Sequence, residues 1–211
     1  MKTTILFIRH GEVANPRGVI YGRLPRFGLS ARGRGQAAAA AAALAESLSS
    51  SVTANRLIAL DTPRTIFSSP MLRARQTAQI ITNQLPELEK HISRRLNEVH
   101  SPHEGGPVAL VERSHWNIYE GIPANYEQPI DVLARALKFT AAVRRKFPGE
   151  CVLAVSHGDL IYFLTLWAMG QALTSQKEQT FYPAPASLSN FIFDEDGPEK
   201  PEFSYYRFEV H

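Results

Sequence analysis

The feature that most constrains this chain is its opening segment, Thr3 to Glu12, in which the run Ile5-Leu6-Phe7-Ile8 stops at Arg9-His10-Gly11-Glu12. An apolar run without alternation suits a strand covered on both faces, as in the middle of a parallel sheet. Ligand sites in open α/β sheets lie at the carboxyl ends of such strands, and Arg9, His10 and Gly11 fall at that end. An arginine and a histidine opening a loop are ordinary by themselves, so the rest of the chain has to decide what they do.

The run Cys151 to Val155 repeats the pattern, ending in Ser156-His157-Gly158-Asp159 before an apolar helix, Leu160 to Met169. Glycine after each histidine permits a tight turn and a close backbone approach, and a helix that follows His157 offers free N–H groups to an anion. Between these strands, Val13 to Leu29 reads as a loop by its Pro16, Gly18, Gly22, Pro25 and Gly28. Ser30 is a good N-cap for a helix running through Ala37 to Ala43 and on to about Leu48. Ser49 to Asn55 reads as a polar surface turn. A short strand over Arg64 to Ser68 is expected next, then a helix from about Met71 to Gln84 with Pro70 at its first position. That helix carries Arg73 in its first turn, where a cation opposes the macrodipole but could complete a cationic pocket.

From Leu96 to Pro129 periodicity fails, and prolines and glycines break any long element. Long irregular segments in compact domains are usually functional, so residues 99–129 read as a lid or specificity insert. Pro129-Ile130-Asp131 then starts a helix that Pro148 and Gly149 stop. Ser187 to Phe193 and Phe203 to Val210 read as a closing pair of strands about an acidic turn, Asp194 to Pro201.

At 211 residues, 44% hydrophobic and 20% charged, the chain suits one domain with a substantial core. It enters its first strand almost at once, without a signal-peptide pattern, so a cytoplasmic location is expected. The longest apolar stretch is about half of the roughly 20 residues that span a bilayer, so no membrane contact is expected. Cys151 is the only cysteine, which rules out an internal disulfide. A net charge of +3 is too mild to argue for a nucleic-acid partner. Its distribution is uneven: Arg17, Arg23, Arg26, Arg32 and Arg34 lie between Glu12 and Glu46 with no acid among them. Either an anionic substrate or a solvated basic loop accounts for this. His100, His103 and His115 share the insert with Glu104 and Glu112, but in no familiar ligand spacing, and no metal is expected. Trp116, Tyr119 and Tyr126 either line an apolar part of a pocket or anchor the loop.

The blocks Arg9-His10-Gly11-Glu12, Leu29-Ser30 with Gly33, Gln36 and Ala37, Ser68 to Ala78, Leu96-Asn97-Glu98, and Ser156-His157-Gly158 arrive in one order, each at a strand end or a helix start. Together they resemble the histidine phosphatase superfamily, which includes cofactor-dependent phosphoglycerate mutases and many phosphomonoesterases. The resemblance covers nearly the whole chain. It implies a phosphoglycerate mutase-like α/β three-layer sandwich, with a mostly parallel central sheet flanked by helices. It also implies a small phosphorylated substrate and no cofactor. His10 would be the nucleophile that takes up a phosphoryl group, Arg9 and Arg73 would grip its oxygens, and His157 would donate from its ring. Glu98 matches the family's general acid and base, and an acid beside a bound phosphate should have a raised pKa. The segment Val99 to His103 departs from the family pattern, so Glu104 and Asp159 compete for that role. Asn15 and Arg23 match positions that lie near the phosphate, while Pro25 to Gly28 departs from the usual sequence before Leu29, so the pocket rim is expected to differ. Asp159 is a further rim candidate. The short spacing from Glu98 to His157 favours a phosphatase over a mutase, and a non-catalytic phosphate- or phosphoprotein-binding module is the reading from another class.

Overall fold

The computed structural model describes residues 1–49, 62–175 and 181–208. Six strands, β1 (Lys2–Arg9), β2 (Thr65–Ser68), β3 (Glu89–Ile92), β4 (Cys151–Ser156), β5 (Leu188–Asp194) and β6 (Glu202–Tyr206), form one sheet in the order β3-β2-β4-β1-β5-β6. The pairs β1–β4, β2–β4 and β2–β3 are parallel, and β1–β5 and β5–β6 are antiparallel. The helices are α1 (Ala31–Ser49), α2 (Leu72–Gln84), a single short turn α3 (Ala109–Glu112), α4 (Pro129–Lys146) and α5 (Gly158–Ala168).

β1 is central, and its side chains serve two cores. Ile5 and Phe7 pack with Phe139 and Val143 of α4 and Ile161 of α5. Leu6 and Ile8 pack on the other face with Ala41 and Leu44 of α1 and Ala78 and Ile81 of α2. Two covered faces make three layers and explain why the strand is apolar without alternation. The alanine run also has a packing reason. Ala37, Ala40 and Ala41 are fully buried, and their small side chains let α1 lie against α2, where Ala74 and Ala78 are buried in turn.

Helix starts largely follow the local chemistry. Ser30 caps α1, its Oγ accepting from the Gly33 N–H at 2.9 Å. α4 begins with Pro129 behind a reciprocal capping box between Gln128 and Asp131. Pro70 stands two residues before α2 rather than in its first turn, because Met71 takes the extended N-cap conformation. Two elements depart from expectation. β3 is added at the sheet edge by the largely exposed segment Glu-Lys-His-Ile, which has no hydrophobic pattern to announce it, and the last strand ends at Tyr206. The turn expected over Ser49 to Asn55 lies, beyond Ser49, outside the described residues. Among the described residues no helix is long and apolar enough to cross a membrane.

Candidate active site

The sheet register brings the two histidines together. Arg9 pairs with Ser156 in the parallel β1–β4 ladder, and the His10 N–H donates to the Ser156 carbonyl at 3.0 Å. His10 and His157 therefore leave adjacent strand ends side by side, with ring centroids 5.1 Å apart, both buried. Nδ1 of His10 lies 2.8 Å from the Gly11 carbonyl oxygen, which can only accept, so Nδ1 carries the proton and Nε2 presents its lone pair. The Arg73 Nε–H meets that lone pair at 3.1 Å. Burial lowers the ring's pKa first, and Arg73, His157 and Arg9 lower it further, so that it lies well below its ordinary value despite the bond to Gly11. His10 is thus a neutral imidazole near pH 7.

Arg73 has no exposed surface. Its Nη2 donates to the Gly22 carbonyl at 2.8 Å and faces His157 Nδ1 at 3.2 Å and Glu98 Oε2 at 3.4 Å. The guanidinium also lies over the Tyr21 ring. Arg9 donates from Nη1 to the Pro183 carbonyl at 2.6 Å and stands over the ring of Tyr182. Arg9 Nε and Arg73 Nη1 are buried and have no hydrogen-bond partner among the described residues. Native structures rarely leave such donors unmet. Two of them around one neutral imidazole make a place for an anion with several acceptor oxygens.

Glu98 stands opposite, its Oε2 3.3 Å from His157 Nδ1 and its Oε1 accepting from the Val99 N–H at 3.0 Å. Burial works against its charge, but His157 and then Arg73 hold the carboxyl well below its usual range. Burial lowers the His157 pKa to about 4, with Glu98 acting against this and Arg73 reinforcing it. Near neutral pH, where His157 is neutral, Arg73 is the cation that keeps Glu98 ionised. With its protein neighbours alone, a cation and a hydrogen-bonding ring, the carboxyl is held low; the raised pKa expected of this acid belongs to the site with a phosphate bound beside it.

Behind Glu98 lies a clamp that sequence reasoning missed. Glu127 accepts from Arg23 Nη2 at 2.8 Å and Arg135 Nε at 2.8 Å, and from the His100 N–H. Arg23 Nε donates to the Glu98 carbonyl at 2.7 Å, and Arg135 donates to the Asn97 carbonyl at 2.7 Å. The two arginines thereby grip the backbone of residues 97–98 from opposite ends of a shared carboxylate. Arg23, expected at the phosphate rim, is turned to this clamp. Glu104 accepts from the Arg23 N–H at 2.7 Å and is not among the residues that line the cavity. Asn15 lines the cavity, but its amide closes a turn on both backbone groups of Val19. Asp159 is buried beneath the cavity, accepting from Tyr119 Oη at 2.6 Å and Tyr182 Oη at 2.7 Å.

The glycines work by close approach of protein rather than ligand. A side chain on Gly11 would meet the Gly33 carbonyl oxygen at 2.3 Å, and one on Gly158 would meet the Tyr182 hydroxyl at 2.1 Å. Glu12 belongs to the first of these junctions, accepting from Ser30 Oγ at 2.7 Å, while its N–H donates to Gln36 at 2.9 Å. Arg32 reaches Glu12 from an exposed position, Arg34 is exposed, and neither lines the cavity. Of the basic loop, Arg17, Arg26, Arg32 and Arg34 are therefore solvated, while Arg23 is held by Glu127.

Among the described residues, His10, Glu98 and His157 place three ligand atoms within 4.8 Å of one another and form the group that could hold a metal. The Arg73 guanidinium lies among these atoms, however, so an added cation would meet a fixed like charge. His100 stacks on Tyr126 instead.

The site opens into a cavity of about 850 Å³. One wall comes from the insert, including Val99, Ser101, Val108, Val111, Trp116 and Ile118. Of the three aromatic residues weighed there, Trp116 lines the cavity, Tyr119 holds Asp159 from below, and Tyr126 packs away from it.

A family model described as the histidine phosphatase superfamily (branch 1) matches residues 5–204. An uncharacterized protein of Mycobacterium tuberculosis, Rv0525, is 31% identical over 202 residues, covering 92% of each chain. Among solved structures, mycobacterial glucosyl-3-phosphoglycerate phosphatase Rv2419c superposes with a TM-score of 0.74 at 23% identity over 100% of both chains. YhfR of Bacillus stearothermophilus does so with a TM-score of 0.72 at 22% identity, over 95% of this chain and 94% of its own. At such identities these two likenesses speak for the fold.

Proposed function

The chain belongs to the histidine phosphatase superfamily, and from that premise we propose that it is a phosphomonoester hydrolase working through a phosphoryl group carried on His10. The observation that carries this is the pairing of a neutral imidazole, its Nε2 lone pair directed inward, with two unmet guanidinium donors, Arg9 Nε and Arg73 Nη1. Phosphoryl transfer asks a protein chiefly for in-line positioning and for cations around the equatorial oxygens. These groups are suited to supply both.

In this mechanism the phosphate of the substrate draws the Arg73 donors away from His10 Nε2 and accepts from Arg9 and His157. Nε2 attacks phosphorus, the bond to the ester oxygen breaks, and that oxygen takes a proton from Glu98. The phosphate itself prepares Glu98: it engages the Arg73 donors and adds a like charge, so the carboxyl rises and takes up the proton it later gives. Water then attacks the phosphohistidine, losing its proton to Glu98. Phosphate leaves and the His10 lone pair is restored. His157 is held for its part by Ser69 Oγ, 2.8 Å from its Nε2. Glu127, Arg23 and Arg135 are positioning residues that fix the backbone beneath Glu98, and residues 99–118 form the specificity wall.

A panel of phosphomonoesters assayed for phosphate release with the wild type and His10→Ala tests this. The wild type is expected to turn over several esters and the variant to lose about 10³-fold or more. Activity that survives in the variant contradicts the proposal.

A further inference from the structure

We propose that the substrate carries a single anionic group, its phosphate, on an uncharged and largely apolar alcohol, and that the site discriminates against esters bearing a carboxylate or a second phosphate. This rests on the phosphomonoesterase reading above and narrows it.

The cavity of about 850 Å³ is far larger than a phosphate, so its walls away from His10 must accommodate the rest of the substrate. Those walls are apolar: Ile20, Val108, Val111 and Ile118, with the rings of Trp116 and Tyr182. Arg9 is the only lysine or arginine among the described residues that line the cavity, and its guanidinium belongs to the phosphate end together with the buried Arg73. Apart from Glu98, the charged lining residues among those described are the exposed Glu112 and, beneath the cavity, Asp159, whose carboxylate is held by Tyr119 and Tyr182. A second anion on the substrate would leave water for a wall that, among the described residues, offers it no cation and faces it with the Glu112 carboxylate, which is unfavourable on both counts.

The basic loop does not supply the missing cation. Arg23 is bound to Glu127 and Arg32 reaches Glu12, while Arg17, Arg26 and Arg34 are exposed and outside the lining. Trp116 adds a positive indication. Both His115 and Trp116 take left-handed backbone conformations, φ 50° and 61°, a rare state for bulky residues that clusters at ligand sites. The turn is tied by the Trp116 N–H to the Val111 carbonyl at 2.7 Å. It presents the indole, 44% exposed, at the cavity edge, where an apolar leaving group would cover it.

The test compares 2-phenylethyl phosphate with 3-phosphoglycerate, two esters of primary alcohols, by kcat/KM. In parallel, it compares benzylphosphonate with phosphonoacetate by dissociation constant on the wild type. The member of each pair without a carboxylate is expected to be favoured at least tenfold. Ala109→Arg, which places a cation at an exposed position on the cavity edge, is expected to narrow both ratios. Equal or faster turnover of 3-phosphoglycerate overturns the substrate class and leaves the phosphatase reading intact. No turnover of any ester, with benzylphosphonate still bound more tightly than phosphonoacetate, overturns the phosphatase reading and supports the class.

Discussion

Replacing Glu98 by glutamine separates proton donation from the other work of this side chain. The amide keeps the volume, and its oxygen still accepts from the Val99 N–H that Oε1 meets at 3.0 Å. What is lost is the proton to be given and the charge that Oε2 places 3.3 Å from His157 and 3.4 Å from Arg73. Hydrogen bonds to charged groups contribute about 1.5–3 kcal/mol, so the variant is expected to lose up to that much stability and still fold. General acid catalysis contributes about 10²–10⁴-fold, and the need for it grows with the basicity of the leaving oxygen. For an alkyl monoester we expect kcat/KM, which reports the step that expels the alcohol, to fall about 10³-fold, or about 4 kcal/mol in barrier. For 4-nitrophenyl phosphate, whose phenolate departs without a proton, the fall in kcat/KM should stay below about tenfold, while kcat falls for every ester because the variant also lacks the base that activates water. The assay is kcat/KM across a series of monoesters of graded leaving-group basicity, wild type beside variant. A loss of equal size for every ester would refute proton donation by Glu98 and leave it an electrostatic or structural part.

Acid should weaken the fold through the buried ring of His157. In the folded chain it stays neutral to about pH 4, whereas in the unfolded chain it binds a proton below its ordinary 6.5, so the unfolded state holds more protons between these values. Stability is full above 6.5 and falls as the pH drops towards 4, by about 3 kcal/mol from this group, and the lowered pKa of His10 acts in the same direction. Urea midpoints from pH 7 to 4.5 check this, and His157→Gln should flatten part of the slope; stability that holds constant over that range contradicts it. Glu127→Ala leaves two partly buried arginines without their shared carboxylate, and is expected to cost about 1–2 kcal/mol of stability, discounted for exposure. It should also lower kcat by about tenfold or more as the backbone under Glu98 loosens; an unchanged kcat would mean that the clamp does not position the acid.

Much of this was legible because chemistry and periodicity coincided. The unalternating run Ile5 to Ile8 predicted a strand buried on both sides, and the paired endings Arg9-His10-Gly11 and Ser156-His157-Gly158 marked two strand ends that the parallel register then sets side by side. Arg73 was legible as a charge placed against its helix dipole, and its complete burial among His10, His157 and Glu98 fits that anomaly. β3 was not legible, because an exposed edge strand of polar residues needs no apolar pattern. Nor was the clamp, since Glu127 sits among turn residues and nothing local says that Arg23 and Arg135 converge on it. The basic loop misled, because charge clustered along the sequence does not fix which way the side chains point: Arg23 faces inward to a carboxylate, and Arg32 and Arg34 face solvent.

The most direct test of the account is to catch the phosphoryl group on His10. A monoester labelled in its phosphate is mixed with the enzyme, quenched in alkali within the first turnovers, and the peptides are mapped by mass spectrometry. The account predicts up to one phosphoryl group per chain, acid-labile, on the imidazole of His10, and none in His10→Ala. Turnover at full rate with no phosphoryl group on His10, or with the group on another residue, would contradict it.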